Sequence, residues 1–180
     1  SWEAYPEKRI RLVIPEYLYK RLKKVRSAYG PLIDYYEKQG FVETETFRDR
    51  VRIGDTEIAA VGVDRGSQIA FIYIFEKDGQ KLVYAPCDIK PFPEHRKEVR
   101  NADLLAIQPG IFETRLKHGF VYSPDHVSRT TLYTFEETLE LSRRINAERV
   151  LFIHLEEYWN RGHDDYERIA AGLDNIQFAH

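Results

Sequence analysis

The pattern of apolar and polar positions divides the chain into a helical N-terminal part, a central run of strands, and a C-terminal part in which strands and helices alternate. In the first part, the spacing predicts a strand over residues 9–14, an amphipathic helix from 15 to about 28, and a second helix over 31–39. Gly30-Pro31 separates the two helices, because this dipeptide favours a turn.

The central part, residues 41–85, predicts a meander of roughly five antiparallel strands. Gly54-Asp55 joins strands predicted at 51–53 and 57–63. Asp78-Gly79 joins strands at 69–75 and 81–85, and it is the stronger of the two turns because Asp-Gly suits a tight hairpin.

In the C-terminal part, Thr134 followed three residues later by Glu137 is typical of the first turn of a helix. Helices are predicted over 93–100, 134–145 and 164–171, strands over 103–107, 149–153 and 176–179, and a long irregular loop over 109–131. A meander followed by this alternation favours packed sheets with helices outside. We therefore expect a single α/β domain over residues 1–180.

Composition limits the function classes. A hydrophobic fraction of 43 % and a charged fraction of 31 % indicate a globular chain, and a net charge of −2 gives no argument for broad attraction to nucleic acid or membranes. No apolar run reaches the ~18 residues of a membrane span. Cys87 is the only cysteine, which excludes an intrachain disulfide and suits a reducing cytoplasm. It is expected to be a structural thiol, with a nucleophile or ligand as the alternative.

Two scarcities add to this. The sequence contains no methionine, which predicts a chain that has been processed, trimmed or cut from something longer. Few Cys, Asn and Gln residues beside many Glu, Lys and Arg residues match the composition of heat-stable, thermophilic proteins.

Three nearly continuous apolar strands each end in a polar residue. Asp88 follows the strand at 82–85, Gln108 follows 104–107, and His154 follows 150–153. Apolar strands of this kind are usually covered on both faces, and their carboxyl ends line the crevice where ligands bind. A carboxylate and an imidazole there suit a metal ion. Taken alone, the spacing also fits a structural histidine and a turn aspartate.

The sequence of residues 81–88, Lys-Leu-Val-Tyr-Ala-Pro-Cys-Asp, resembles the strand-then-aspartate motif of the metallo-β-lactamase superfamily. Residues 101–107 (Asn-Ala-Asp-Leu-Leu-Ala-Ile) and the helix and strand that lead to His154 are similar to later segments of that family. The resemblance covers roughly residues 9–180 and is closest to the phosphodiesterase and tRNA-processing branch. It implies an αββα four-layer sandwich, with Asp88 bridging two divalent ions and His154 as a metal ligand.

The chain also departs from the family pattern. The His-x-His-x-Asp-His motif is absent, so the resemblance implies that the domain is N-terminally incomplete and that a missing segment or a partner chain completes the site. Where relatives carry a further histidine ligand, this chain has Val63-Asp64-Arg65, and Asp64 is the candidate substitute, with a turn carboxylate as the alternative. The family's histidine near the substrate phosphate has no aligned counterpart, and His126 in the long loop is the candidate catalytic residue, with a surface histidine as the alternative. The remaining histidines follow no pattern and are expected at the surface: His95, His118, His163 and His180.

The resemblance implies a metal-dependent hydrolase with two divalent ions, Zn²⁺ before Mn or Fe. Its substrate would be a small-molecule or nucleotide phosphodiester, attacked by a metal-activated water. Glu156 or Glu157 would orient His154, while Tyr158 and Trp159 are expected in the core or at a rim, with a pocket wall as the alternative. The other reading is a non-catalytic binding or scaffold module derived from the same fold. The oligomeric state stays open, a homo-oligomer included.

Overall fold

The computed structural model describes residues 8–65, 68–87 and 89–179. The chain forms two compact units, Ser1–Val51 and Arg52–His180. The boundary falls within a strand, β5 (Arg50–Ile53).

The first unit is built on a parallel pair of strands, with Ile10 opposite Val42 and Pro15 opposite Phe47. Its elements in chain order are β1 (Ile10–Pro15), α1 (Glu16–Leu22), β2 (Arg26–Ser27), β3 (Gly30–Pro31), α2 (Leu32–Lys38) and β4 (Val42–Phe47). The helix predicted to reach residue 28 is wrong in its second half. The chain instead turns through the β2–β3 hairpin, and the amide of Leu32 donates to the carbonyl of Val25 at 2.8 Å.

Within the part of the chain that the structure describes, the larger sheet has seven strands in the order β11-β10-β9-β8-β7-β6-β5. The elements after β5 are β6 (Thr56–Arg65), β7 (Gln68–Lys77), β8 (Gln80–Ala85), β9 (Leu104–Ile107), α3 (Phe135–Arg144), β10 (Val150–Phe152), α4 (His163–Ala170) and β11 (Ile176–Phe178). Strands β6 to β8 are antiparallel to one another, and β8 to β11 are parallel.

Two predictions for this region need correction. The strand at 42–47 does not belong to the meander, because β4 pairs with β1 in the smaller sheet. The helix predicted at 93–100 is only one 3₁₀ turn, Lys97–Val99, because the backbone at Arg96 and Arg100 is extended on either side of it. Both hairpin turns and the C-terminal alternation of strands and helices are confirmed.

The core of the second unit is where the sheet, α3 and the long loop meet. Ile72, Val83, Leu105 and Phe152 are completely buried, and each such side chain contributes roughly 1.5–3 kcal/mol to stability. On the loop side, Phe112 stacks on Phe135 at 4.7 Å and meets Trp159 edge-on at 5.2 Å. These contacts fasten the irregular segments that carry the candidate site to the sheet.

No helix in the described ranges is long and apolar enough to cross a membrane.

Candidate functional site

The parallel strands bring their carboxyl ends to one edge of the larger sheet. Ala85 pairs with Ile107, and Ile107 pairs with Phe152, so the residues that follow β8, β9 and β10 leave the sheet side by side. Asp88, the predicted bridging ligand after β8, lies outside the described residues. Gln108 after β9 is 3 % exposed, and its side-chain oxygen has no donor among the described residues. This edge therefore keeps an unsatisfied acceptor.

His154 leaves β10 with an unusual backbone conformation. The amide of Ile153 still donates to the carbonyl of Ile107 at 2.9 Å, but His154 has a φ of +56°, in the left-handed region. Such residues are uncommon outside glycine and concentrate at functional sites. The imidazole is 45 % exposed, and its Nε2 lies 3.2 Å from Oε1 of Glu156. Of the two glutamates considered as partners for His154, Glu156 is the one in contact.

A pocket of about 840 Å³ opens beside Glu156. The residues lining it come from two segments, the long loop and the turn after β10, and they are Lys117, His118, Phe120, Tyr122, His126, Ser128, Glu156, Glu157 and Tyr158. Two residues singled out from the sequence, His126 and Glu156, therefore line the same cavity. The carboxylate of Glu156 is the link, since it lines the pocket and contacts His154.

His126 has a defined orientation. Its Nδ1 accepts a hydrogen bond from the amide of Ser128 at 3.2 Å, and its ring meets those of Tyr122 and Phe120 edge-on at 5.0 and 5.8 Å. With Nδ1 accepting, the proton of the neutral ring lies on Nε2. His126 is thus an ordered donor in the pocket wall.

Two tyrosines that line the pocket contact each other. The hydroxyl groups of Tyr122 and Tyr158 are hydrogen-bonded to each other. Burial of the Tyr122 ring, followed by this contact, raises the pKa of Tyr122 well above its usual range. Tyr122 therefore stays protonated at every physiological pH. Its neighbour Trp159 is completely buried and belongs to the core, as predicted, whereas Tyr158 is on the pocket wall.

Ion pairs fix the loop around the pocket. Arg129 pairs with Glu113 and donates to the backbone carbonyls of Ser123 at 2.9 Å and Tyr122 at 3.0 Å. At the rim, Lys117 pairs with Glu157, and this contact lowers the pKa of the Glu157 carboxyl. These contacts join residues of the loop to one another and, through Lys117 and Glu157, to the turn after β10.

Asp64 does not join this group in the described structure. It is exposed on β6, and its backbone is paired with Ile69. Strands β7, β8 and β9 lie between β6 and β10, which separates their backbones by about 19 Å at a spacing of ~4.8 Å per strand. The sheet thus places Asp64 and His154 at the same edge but far apart along it.

A zinc ion in a protein is usually held by three or four protein ligands. Among the residues that the structure describes, no three His, Cys, Asp or Glu side chains come together in a way that could hold one. The described residues therefore do not form a metal site by themselves.

Sequence reasoning missed part of the pocket. His118 was expected to be a surface residue; it is exposed but lines the cavity, and Tyr122 was not singled out at all. The sequence holds one indication, the run of three apolar and aromatic residues Phe120-Val121-Tyr122 within a loop, where such residues are less common than polar ones. His95 and His163 are exposed, as expected, and His180 lies outside the described residues.

A family model described as a beta-lactamase superfamily domain matches residues 6–155. No curated protein matches the chain. Among solved structures, a diphosphatase of the PhnP family is similar over the whole chain, with 16 % identity and a TM-score of 0.64. The metallo-β-lactamase fold protein YhfI from Bacillus subtilis matches 98 % of the chain at 13 % identity, with a TM-score of 0.60. Zn²⁺-bound PqqB from Methylobacterium extorquens matches 96 % at 13 % identity, with a TM-score of 0.63.

These structures confirm the predicted α/β fold class. The chain spans 59 %, 65 % and 63 % of their respective lengths.

Proposed function

We propose that this chain, which belongs to the metallo-β-lactamase superfamily, works as a metal-dependent hydrolase that cleaves a phosphodiester. The observation that carries the proposal is the position of His154 at the carboxyl edge of the parallel strands, joined through Glu156 to a pocket that contains His126. Ligands of layered α/β folds bind at the carboxyl ends of the strands, and a cavity next to them can take a small-molecule substrate, which supports a hydrolytic site here.

The pocket offers hydrogen-bond donors to a phosphoryl group at its edge. His126 and Ser128 bring these donors, while the charge of Lys117 is paired with Glu157. One structural neighbour is named as a diphosphatase, an enzyme that also acts on phosphorus–oxygen bonds. These features favour a phosphodiester over the other bonds that hydrolases cleave.

The proposed ligands for the metal ions in this chain are Asp88 and His154, with Asp64 as a further candidate. Divalent ions, with Zn²⁺ first, would supply a water of near-neutral pKa and stabilise charge on the phosphoryl oxygen. Since the described residues do not make a set of three ligands and the sequence lacks the His-x-His-x-Asp-His motif, we propose that side chains from outside these 180 residues complete the site. They would come from another segment of the polypeptide or from a partner chain.

The chain's own residues then have distinct roles. Glu156 holds the imidazole of His154 in one orientation, as carboxylates next to metal-binding histidines do. His126 would donate a hydrogen bond from its protonated Nε2 to a phosphoryl oxygen, while its Nδ1 accepts from the amide of Ser128.

The test is metal analysis and hydrolysis by the protein isolated from its source. We expect one to two Zn, Mn or Fe ions per chain, and faster cleavage of bis(p-nitrophenyl) phosphate than of p-nitrophenyl phosphate. His154→Ala is expected to lower the rate by about 100-fold or more, because loss of a ligand exceeds the 10- to 100-fold cost of losing a residue that supports one. His95→Ala, an exposed histidine outside the pocket lining, is the matched control.

The competing proposal is a binding or scaffold module that has lost its metals. The lack of a three-ligand cluster among the described residues favours it. A metal-free protein from the source that cleaves no phosphodiester, and for which H154A changes nothing measurable, would replace the hydrolase with this module.

A further inference from the structure

The pocket beside His154 carries aromatic side chains that the proposed hydrolysis does not use. Phe120 and Tyr158 line it and are 45 % and 37 % exposed. The ring of Phe120 meets that of Tyr122 at 5.0 Å with an interplanar angle of 87°, so the edge of one ring faces the other. This arrangement keeps the rings apart in a fixed geometry, and it leaves aromatic surface open to the cavity.

Two aromatic residues of the loop face the cavity. Phe120 and Tyr122 line the pocket, while Val121 between them is 71 % exposed and does not. Arg129 holds the carbonyl of Tyr122 at 3.0 Å, so the aromatic wall is preformed.

A hydrogen-bond acceptor belongs to the same lining. Oε1 of Glu156 lies 3.2 Å from Nε2 of His154, and a carboxylate has a second oxygen that can accept. Glu157, the other acid of the lining, is paired with Lys117 at the rim. A flat aromatic guest with an amino group would therefore find both stacking surfaces and an acceptor.

We propose that this pocket is the subsite for the nucleobase of a nucleotide substrate, and that the amino group of the base donates to Glu156. This inference rests on the proposed function, in which the phosphodiester lies between His154 and the edge of the pocket. The cavity of about 840 Å³ has the size of small-molecule sites, which is roughly 300–1,000 Å³. Of the two substrate types, small molecule or nucleotide, the aromatic wall selects the nucleotide.

The first experiment is calorimetric titration of the 180-residue chain with AMP and with ribose 5-phosphate, without added metal. AMP is expected to bind at least about tenfold more tightly, because stacking of one base on an aromatic ring is worth roughly that or more. Phe120→Leu keeps an apolar side chain but removes the ring. It should lower the affinity for AMP about tenfold and leave the affinity for ribose 5-phosphate unchanged. Val121→Ala, in the same loop but outside the lining, should change neither affinity.

The second experiment compares AMP with IMP, which carries an oxygen where AMP has its amino group. The acceptor Glu156 should favour AMP by about tenfold, since the oxygen of IMP leaves the carboxylate facing another acceptor. Glu156→Gln supplies an amide group that can donate to the oxygen of IMP. The variant should therefore bind AMP more weakly and IMP more tightly, which reduces the difference between the two affinities. A circular dichroism spectrum equal to that of the unmodified chain verifies that each variant is folded.

Equal binding of AMP and ribose 5-phosphate, or an F120L chain that binds AMP as before, would overturn the subsite. So would a preference for AMP over IMP that E156Q leaves intact. Neither titration needs turnover, so a chain that shows these preferences but belongs to a protein without hydrolysis would contradict the proposed function alone. Conversely, a protein that hydrolyses bis(p-nitrophenyl) phosphate but binds AMP no more tightly than ribose 5-phosphate would contradict the subsite alone.

Discussion

At the scale of single residues, Gly110 controls where the long loop starts. It has a φ of +88°, and a Cβ there would lie 2.5 Å from the carbonyl oxygen of Tyr133 and 2.8 Å from that of Thr134. These are backbone atoms at the start of α3, held by the hydrogen bond from the Ile111 amide to the Tyr133 carbonyl at 2.8 Å. Neither the backbone angle nor the neighbours leave room for a side chain.

Gly110→Ala is therefore expected to destabilise the chain by about 3 kcal/mol, from backbone strain and from overpacking in similar parts. The midpoint of thermal unfolding, Tm, should fall by roughly 6–12 °C. Gly79→Ala is the matched control, because Gly79 has a φ of +78° but nothing within 4 Å of its Cβ position, so it carries the strain alone. Equal losses for the two variants would mean that the close approach at Gly110 contributes nothing.

At the scale of elements, α3 shows how far local sequence chemistry reaches. The hydroxyl of Thr134 accepts from the amide of Glu137 at 3.2 Å, and the carboxylate of Glu137 accepts from the amide of Thr134 at 2.8 Å. Both contacts follow from residue types three positions apart, which is why the sequence predicted this helix start correctly.

Thr134→Ala should cost about 1 kcal/mol, because the amide of Glu137 loses its acceptor. Thr134→Ser keeps the hydroxyl and should retain most of the stability. The midpoint of urea unfolding measures both. If serine were as harmful as alanine, the methyl group of Thr134, and not its hydroxyl, would be what α3 needs.

Other elements could not be read from local patterns. The residues after Leu22 continue an amphipathic spacing, yet they form the β2–β3 hairpin, because pairing between Ser27 and Gly30 overrides helix preference. The pocket depends on contacts that are still more distant in sequence, such as Tyr122 with Tyr158 and Lys117 with Glu157. Strand ends such as His154 were predictable because apolar runs mark buried strands, whereas the loop that faces them has no period to read.

At the scale of the whole molecule, the residues that build the fold are distinct from the ligands that a metal site needs. The seven-stranded sheet, α3 and α4 bury a continuous core that includes Trp159 and Phe152, and this core positions His154 and the pocket. The proposed metal chemistry needs several ligands, whereas the described part of the chain brings fewer than three together at any point. Folding of this chain therefore does not by itself supply the proposed activity.

This separation predicts how the 180-residue chain behaves with metals alone. Added Zn²⁺ or Mn²⁺ should bind weakly and produce no detectable cleavage of bis(p-nitrophenyl) phosphate, since Asp88 and His154 leave an ion without enough protein ligands. Zn²⁺ titration followed by calorimetry, together with a hydrolysis assay at saturating metal, measures both properties. H154A should then differ little from the unmodified chain in either assay. Efficient turnover by the chain with metal alone would show that these residues already hold a complete site and would remove the need for ligands from elsewhere.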